Sequence, residues 1–164
     1  MATAALYDIL EALRSTLSTA LPEEKTRLSL TQDLPAASDY LLITPSWPRS
    51  RQVSFPALFV VPWPDGGQAQ IQHESTGPTT EWEVPVAVEL VFRASSRVES
   101  DVIKDFCAYT QMVESGIVNN STLGRSDVLA VSPQSVTPSI VSEDSAGLWA
   151  STVRTTLGFN PQYL

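Results

Sequence analysis

The side chains able to carry chemistry in this chain are few and far apart. His73 is the only histidine and Cys107 the only cysteine. A metal site on either needs further ligands at short spacing, and neither CxxC nor HxxxH occurs. His73 reads as an exposed loop histidine. A Ser–His–Asp arrangement around it stays open on spacing alone, yet no G-x-S-x-G nucleophile turn is present. Cys107, beside Phe106 and near Ile103, reads as a small buried apolar residue on a helix. Asp65-Gly66-Gly67 lacks the Walker and GxGxxG patterns of phosphate loops and reads as a turn. Glu81, Glu83 and Glu89 share one strand face, which reads as a solvated or interface face rather than a set of paired acids. The expectation is no catalytic residue, no cofactor and no metal.

The four tryptophans are more informative. Trp82 and Trp149 fall on apolar strand faces and are expected in the core. Trp47 and Trp63 stand among prolines in loops. Each is either an aromatic anchor at a protein interface or a cap on an edge of the core. By position, the expected interface set is Trp47, Arg49, Arg51, Trp63 and His73 in loops, with Tyr163 and Leu164 at the end of the chain.

The elements that must position these residues are written in the hydrophobic pattern. In Glu81–Arg93, Trp82, Val84, Val86, Val88, Leu90 and Phe92 alternate with Glu81, Glu83, Glu89 and Arg93. A period of two over this length predicts a long strand, one face on a core and the other toward water or a partner. Pro85 has no N–H to donate, so regular pairing is expected from about Val86. Leu6, Leu10, Leu13, Leu17 and Leu21 recur at helical spacing and predict a helix over Thr3–Leu21, stopped by Pro22. Residues 22–54 form a proline-rich structured connection, with short strands at Leu28–Leu30 and Tyr40–Thr44.

Pro56–Val61 is nearly all apolar and reads as a strand buried on both faces. Residues 62–80, polar and rich in turn formers, read as a projecting loop or loose hairpin. Ser96 and Glu99 match a capping box for a helix over Asp101–Val118, with Val102, Ile103, Phe106, Thr110, Val113 and Ile117 as its apolar stripe. Gly116 or Asn119-Asn120 ends it. Val128–Ser132 and Val136–Val141 read as two short strands. Leu148–Phe159 reads as a closing strand with Trp149, Val153, Leu157 and Phe159 on one face.

Composition narrows the class. At 164 residues, 43% hydrophobic and 17% charged, the chain is read as a single domain over residues 1–164. A domain of this size buries roughly 70% of its unfolded surface without disulfides. The net charge of −8 argues against non-specific binding to nucleic acid or acidic membranes, which needs clustered Lys and Arg. The N-terminal stretch has the wrong charge pattern for a signal peptide, no apolar run is long enough to span a membrane, and synthesis in the cytosol is expected.

The element order is an amphipathic helix, a PALFVV strand, a loop, a long alternating strand, a capped helix and a β-rich end. This resembles the tail terminator (tail completion) proteins of tailed bacteriophages. The echoes are Phe55-Pro56-Ala57-Leu58-Phe59-Val60, the strand Trp82–Phe92 leading to Asp101–Val118, and the closing strand Ser151–Phe159. The resemblance implies an α/β (α+β) subunit, a mostly antiparallel β-sheet flanked by two main helices on one side.

It further implies a non-enzymatic virion protein at the tail–neck junction, made in the host cytoplasm. Such a protein forms a hexameric ring on the tail tube, stops tube polymerisation and joins the tail to the head connector. The implied partners are further copies of itself, the tail tube protein, the head connector or neck proteins, and a sheath protein where the tail carries one. No membrane is involved, and DNA passes through the lumen without specific binding, as an acidic lining favours. The alternatives are a head–tail joining or neck protein of the same particle and, in a different class, a small cytosolic binding module or enzyme.

Overall fold

The alternating run from Trp82 to Phe92 becomes the central strand of the protein. In a computed structural model, residues 2–47, 53–64, 70–73, 80–142 and 147–160 are described. Along the chain the elements are α1 (Ala2–Arg27), β1 (Tyr40–Leu42), β2 (Ala57–Pro62), β3 (Gln70–His73), β4 (Thr80–Arg93), α2 (Glu99–Asn119), β5 (Val128–Ser142) and β6 (Leu148–Phe159). The strands form one sheet in the order β1-β2-β4-β6-β5, and β3 pairs with β4 beyond the end of β2. Only β1 and β2 are parallel. The fold is thus α+β, a mostly antiparallel sheet with two helices, the class that the resemblance implies.

Both helices contribute to the main core on one face of the sheet. Leu6, Ile9, Leu10, Leu13, Leu17 and Leu21 of α1 and Met112, Val113 and Ile117 of α2 join Val84, Val86, Val88, Leu90 and Phe92 of β4 in it. Fully burying an aliphatic or aromatic side chain of this size contributes about 1.5–3 kcal/mol, so this layer dominates the stability. The other face has no helix among the described residues, yet its middle is not open. Ala87 and Val91 are buried there with Ala57, Phe59, Val61 and Ile43, and Val53 and Phe55 pack on them. A parallel β1–β2 pair requires a crossover. Here the crossover, through Ile43, Val53 and Phe55, supplies apolar side chains to this second face. The expectation that the whole glutamate face of β4 meets water or a partner is therefore corrected: Ala87 and Val91 on it are buried, while Glu81, Glu83 and Glu89 are part-exposed and Arg93 is exposed.

Pro85 marks a change of partner rather than a start. On one side the β4–β6 ladder runs from Trp82 opposite Phe159 to Arg93 opposite Leu148, passing through Pro85 opposite Thr156. On the other side β3 pairs Thr80–Glu83, and β2 takes over from Val86. Residues 62–80 therefore do contain a hairpin strand. The turn reading at Asp65-Gly66-Gly67 and the rest of the loop at 65–69 and 74–79 fall outside the described residues.

Further expectations are corrected. Pro22 does not stop α1, which continues to Arg27. Pro22 faces solvent, where the loss of one helical hydrogen bond is tolerated. The helix ends instead at Ser29, which adopts φ 54°, while Leu30 N–H reaches back to Lys25 O at 3.0 Å. That left-handed residue with its six-to-one bond is a Schellman stop made without glycine. The expected strand at Leu28–Leu30 is consequently absent.

Val98, not Ser96, is the N-cap of α2. Ser96 Oγ accepts from Val98 N–H at 3.1 Å and donates to Asp101 at 2.6 Å, so the serine braces the approach to the helix. The buried face of α2 is rotated from the expected stripe: Asp105, Ala108, Tyr109, Met112, Val113, Gly116 and Ile117 are buried, while Ile103 is 54% exposed. The helix must face α1 as well as the sheet, and that second contact turns it. Gly116 lies inside the helix where α1 crosses, rather than at its end. Finally, Val128–Ser132 and Val136–Val141 are one strand, β5, with register shifts near residues 129, 134 and 141. Pro133 and Pro138 are accommodated because β5 is an edge strand.

Candidate functional site

Of the expected interface residues, the described ones, Trp47, Trp63 and His73, fall on three different segments of the chain. Trp47 is 44% exposed and closes a turn in which its N–H donates to Thr44 O at 3.1 Å. Trp63 is half-buried and packs against the main core, so of the two readings it fits the cap on an edge. His73 lies on β3 opposite Thr80 rather than in a loop. Arg49, Arg51, Tyr163 and Leu164 lie outside the described residues, as does Asp65-Gly66-Gly67.

Trp63 owes its place to the chain around it. Pro62 ends the pairing of β2 opposite Val86. Trp63 then takes φ 48°, a left-handed conformation that costs a residue with a Cβ about 1–2 kcal/mol. Its N–H donates to Pro85 O at 2.9 Å, which holds the turn. The ring thereby borders an apolar groove of about 380 Å³ between the first turns of α1 and the edge strand β1, with Leu6, Tyr7, Leu10, Leu42 and Pro62. Tyr7 on its rim is 57% exposed. Glu11, also on the rim, is bound by the Arg14 guanidinium through hydrogen bonds of 3.0 and 2.8 Å.

A second cavity, of about 320 Å³, is polar and lies where the segment after α1, the end of β4 and α2 meet; Gln32, Arg93, Ser95, Lys104 and Asp105 line it. Asp105 is buried and accepts the Ser95 backbone N–H at 2.8 Å and Gln32 Nε2 at 3.3 Å. Tyr109 Oη donates to Asp33 O at 2.9 Å. These bonds tie the 30–34 segment to the start of α2. Burial, with the negative charges of Asp105 and Asp33 nearby, pushes the Tyr109 phenol well above its ordinary pKa. The carboxylate and phenol are thus occupied in holding chain segments together, a role that needs no ligand.

The glutamates of β4 do not gather into a site. Glu83 stands opposite Gly158 and Glu89 opposite Thr152, six residues and about 20 Å apart along the strand. No group of three or more His, Cys, Asp or Glu able to hold a metal ion occurs among the described residues. Cys107 is exposed, which corrects its reading as a buried residue and follows from the rotation of α2.

The sequence reading passed over a different feature. Leu129, Val136 and Ile140 of β5 are 42%, 38% and 57% exposed, and residues 134–140 are exposed without a break. The strand carries no charged side chain in 15 residues, VLAVSPQSVTPSIVS. That absence of charge on an edge strand was the available signal, since edges are commonly guarded by charge. Among the described residues no helix is long and apolar enough to cross a membrane. No protein-family model matches the chain, and comparison with curated proteins gives no significant match.

Proposed function

We propose that this chain is a structural subunit of a tailed phage particle, a tail terminator that closes the tail tube as a hexameric ring and presents a surface to the head connector. The observation that supports this most is the order of elements. An N-terminal helix, a buried strand, a hairpin, the long strand β4, helix α2 and two closing strands lie in one sheet, with both helices on the same face. That is the order on which the likeness to tail terminators rests. The composition agrees with it. Copies of a chain with net charge −8 arranged around a channel give it an acidic lining where those charges face inward, and DNA then passes without adhering. Apolar surface at two different places on the subunit suits a ring, in which each copy contacts its two neighbours through different patches.

The test is to mix the purified protein with the tail tube protein of its phage and to measure tube lengths by negative-stain electron microscopy. Tubes stopped short, with a ring on one end, are the expected result. Unchanged tube growth with no ring at either end overturns the proposal and leaves the neck protein as the reading to test next.

A further inference from the structure

Two apolar features outside the core lie at opposite edges of the sheet. The groove lined by Leu6, Tyr7, Leu10, Leu42 and Trp63 sits beside β1, the first strand in the spatial order. Val136 and Ile140 sit on β5, the last. We infer that the groove of one subunit receives the Val136–Ile140 edge of a second copy of this chain, so that copies join head to tail. This rests on the ring reading above and names the surfaces that would build it.

The chemistry of the two patches fits each other better than either fits itself. Val136 and Ile140 stand opposite Val153 and Trp149 of β6, so both side chains are on the helix-bearing face. They are four residues, about 13 Å, apart along the strand, and as exposed side chains at 38% and 57% they stand as an apolar ridge on that rim. The groove is the concave counterpart. A ridge and a hollow on opposite edges make a heterologous contact, the kind that closes into a ring when the rotation per copy allows it.

Charge points to the same occupant. Each copy carries a net charge of −8, so most pairings of two surfaces set like charges against each other. The β5 edge has no charge to oppose. The carboxylate at the groove, Glu11, is already neutralised by Arg14. The backbone of β5 also disfavours the usual fate of an open edge. Pro133 and Pro138 lack an N–H, and three register shifts break the ladder geometry, so adding a foreign strand by main-chain hydrogen bonds is hindered. What β5 offers is its side chains, and side chains need a groove.

The contact can be tested by cross-linking single-cysteine variants made in a Cys107→Ser background. Tyr7→Cys and Ile140→Cys are prepared separately, then treated with a short bismaleimide alone and as a mixture, both in concentrated solution and on tail tubes. The mixture is expected to yield cross-linked dimer at least tenfold above either variant alone. Dimer from Ile140→Cys alone at a comparable yield means a two-fold contact through β5 and overturns the inference, as does the absence of dimer in the mixture under both conditions.

Ile140→Glu gives an independent readout. The side chain is 57% exposed, so circular dichroism and thermal midpoint are expected to be unchanged while self-association by sedimentation falls at least tenfold. Unchanged self-association overturns the inference. The two proposals fail separately. Capped tubes with a β5–β5 cross-link leave the terminator reading standing and remove the contact. Uncapped tubes with a Tyr7–Ile140 cross-link do the reverse.

Discussion

Asn119 Nδ2 donates a hydrogen bond to Glu24 Oε1 at 2.8 Å, joining the last turn of α2 to the end of α1. The other oxygen of Glu24 accepts from Arg27 at 2.8 and 2.5 Å. Glu24 is buried while its arginine partner remains largely exposed, so the carboxylate is the fixed point of the cluster. Its place beyond Pro22 depends on α1 continuing past the proline.

The Arg27 hydrogen bonds hold the Glu24 carboxyl below the ordinary glutamate pKa, with Asn119 adding to them against the opposing effect of burial. A lowered folded-state pKa means that the charged form stabilises the protein above the ordinary value. That contribution is lost as pH falls through the lowered one. Glu24→Gln is expected to cost about 1 kcal/mol at pH 7. The difference from the parent should shrink toward zero as the pH falls through the lowered pKa, read by urea unfolding at each pH. A difference that stays constant with pH would assign the loss to packing instead of charge.

Gly116 lies where α1 crosses α2. A Cβ placed there would stand 3.5 Å from Leu17 Cδ2, 3.6 Å from Ala20 Cβ and 3.7 Å from Leu21 Cδ1, all ordinary van der Waals distances. Gly116→Ala is therefore expected to stabilise the protein by about 1 kcal/mol through helix propensity. Gly116→Leu should destabilise it by about 1–3 kcal/mol by pushing α1 off α2. Thermal unfolding of the two variants checks both signs.

The hydroxyls of Thr110 and Ser151 lie 2.6 Å apart, with Ser151 fully buried. Ser151→Ala or Thr110→Val alone strands one hydroxyl and is expected to cost about 1–2 kcal/mol. The double variant removes both polar groups and should cost about 1 kcal/mol less than the sum of the two. Strict additivity in the cycle would show that the pair does not couple α2 to β6.

Burial pushes the Tyr40 phenol up to about 12 and raises Tyr109 further. A raised folded-state pKa contributes stability below the ordinary tyrosine value, and this is lost as pH climbs through the raised one. Ultraviolet titration should therefore show Tyr40 and Tyr109 ionising late, in a step that coincides with unfolding. Tyr40→Phe, which keeps the ring and removes the ionisable group, is expected to shift alkaline unfolding to higher pH. Full ionisation near pH 10 in the folded protein would contradict the burial of both rings.

Alternation and helical spacing are local quantities, and they made much of the scaffold legible. β6 spans Leu148–Phe159 as its pattern implies, and β2 and β4 agree within a residue at each end. In each, the side chains are sorted by which face meets the core, a property that adjacent residues encode. The candidate surfaces were less visible. Trp63 stood out as a tryptophan between prolines, but its fit against the core depends on Pro85, which is remote in sequence. Leu129, Val136 and Ile140 look like ordinary strand residues until the spatial order puts β5 at the rim.

By itself the sequence determined the long central strand, the closing strand and a net charge of −8. It did so because periodicity and net charge need no knowledge of distant partners. Only the tertiary structure decided which way α2 faces, that Pro22 is absorbed within α1, that β5 is one edge strand, and that an apolar groove and an apolar ridge occupy opposite rims. Each of these depends on contacts between residues far apart in the chain. There, packing free energy outweighs local signals worth about 1 kcal/mol or less per residue.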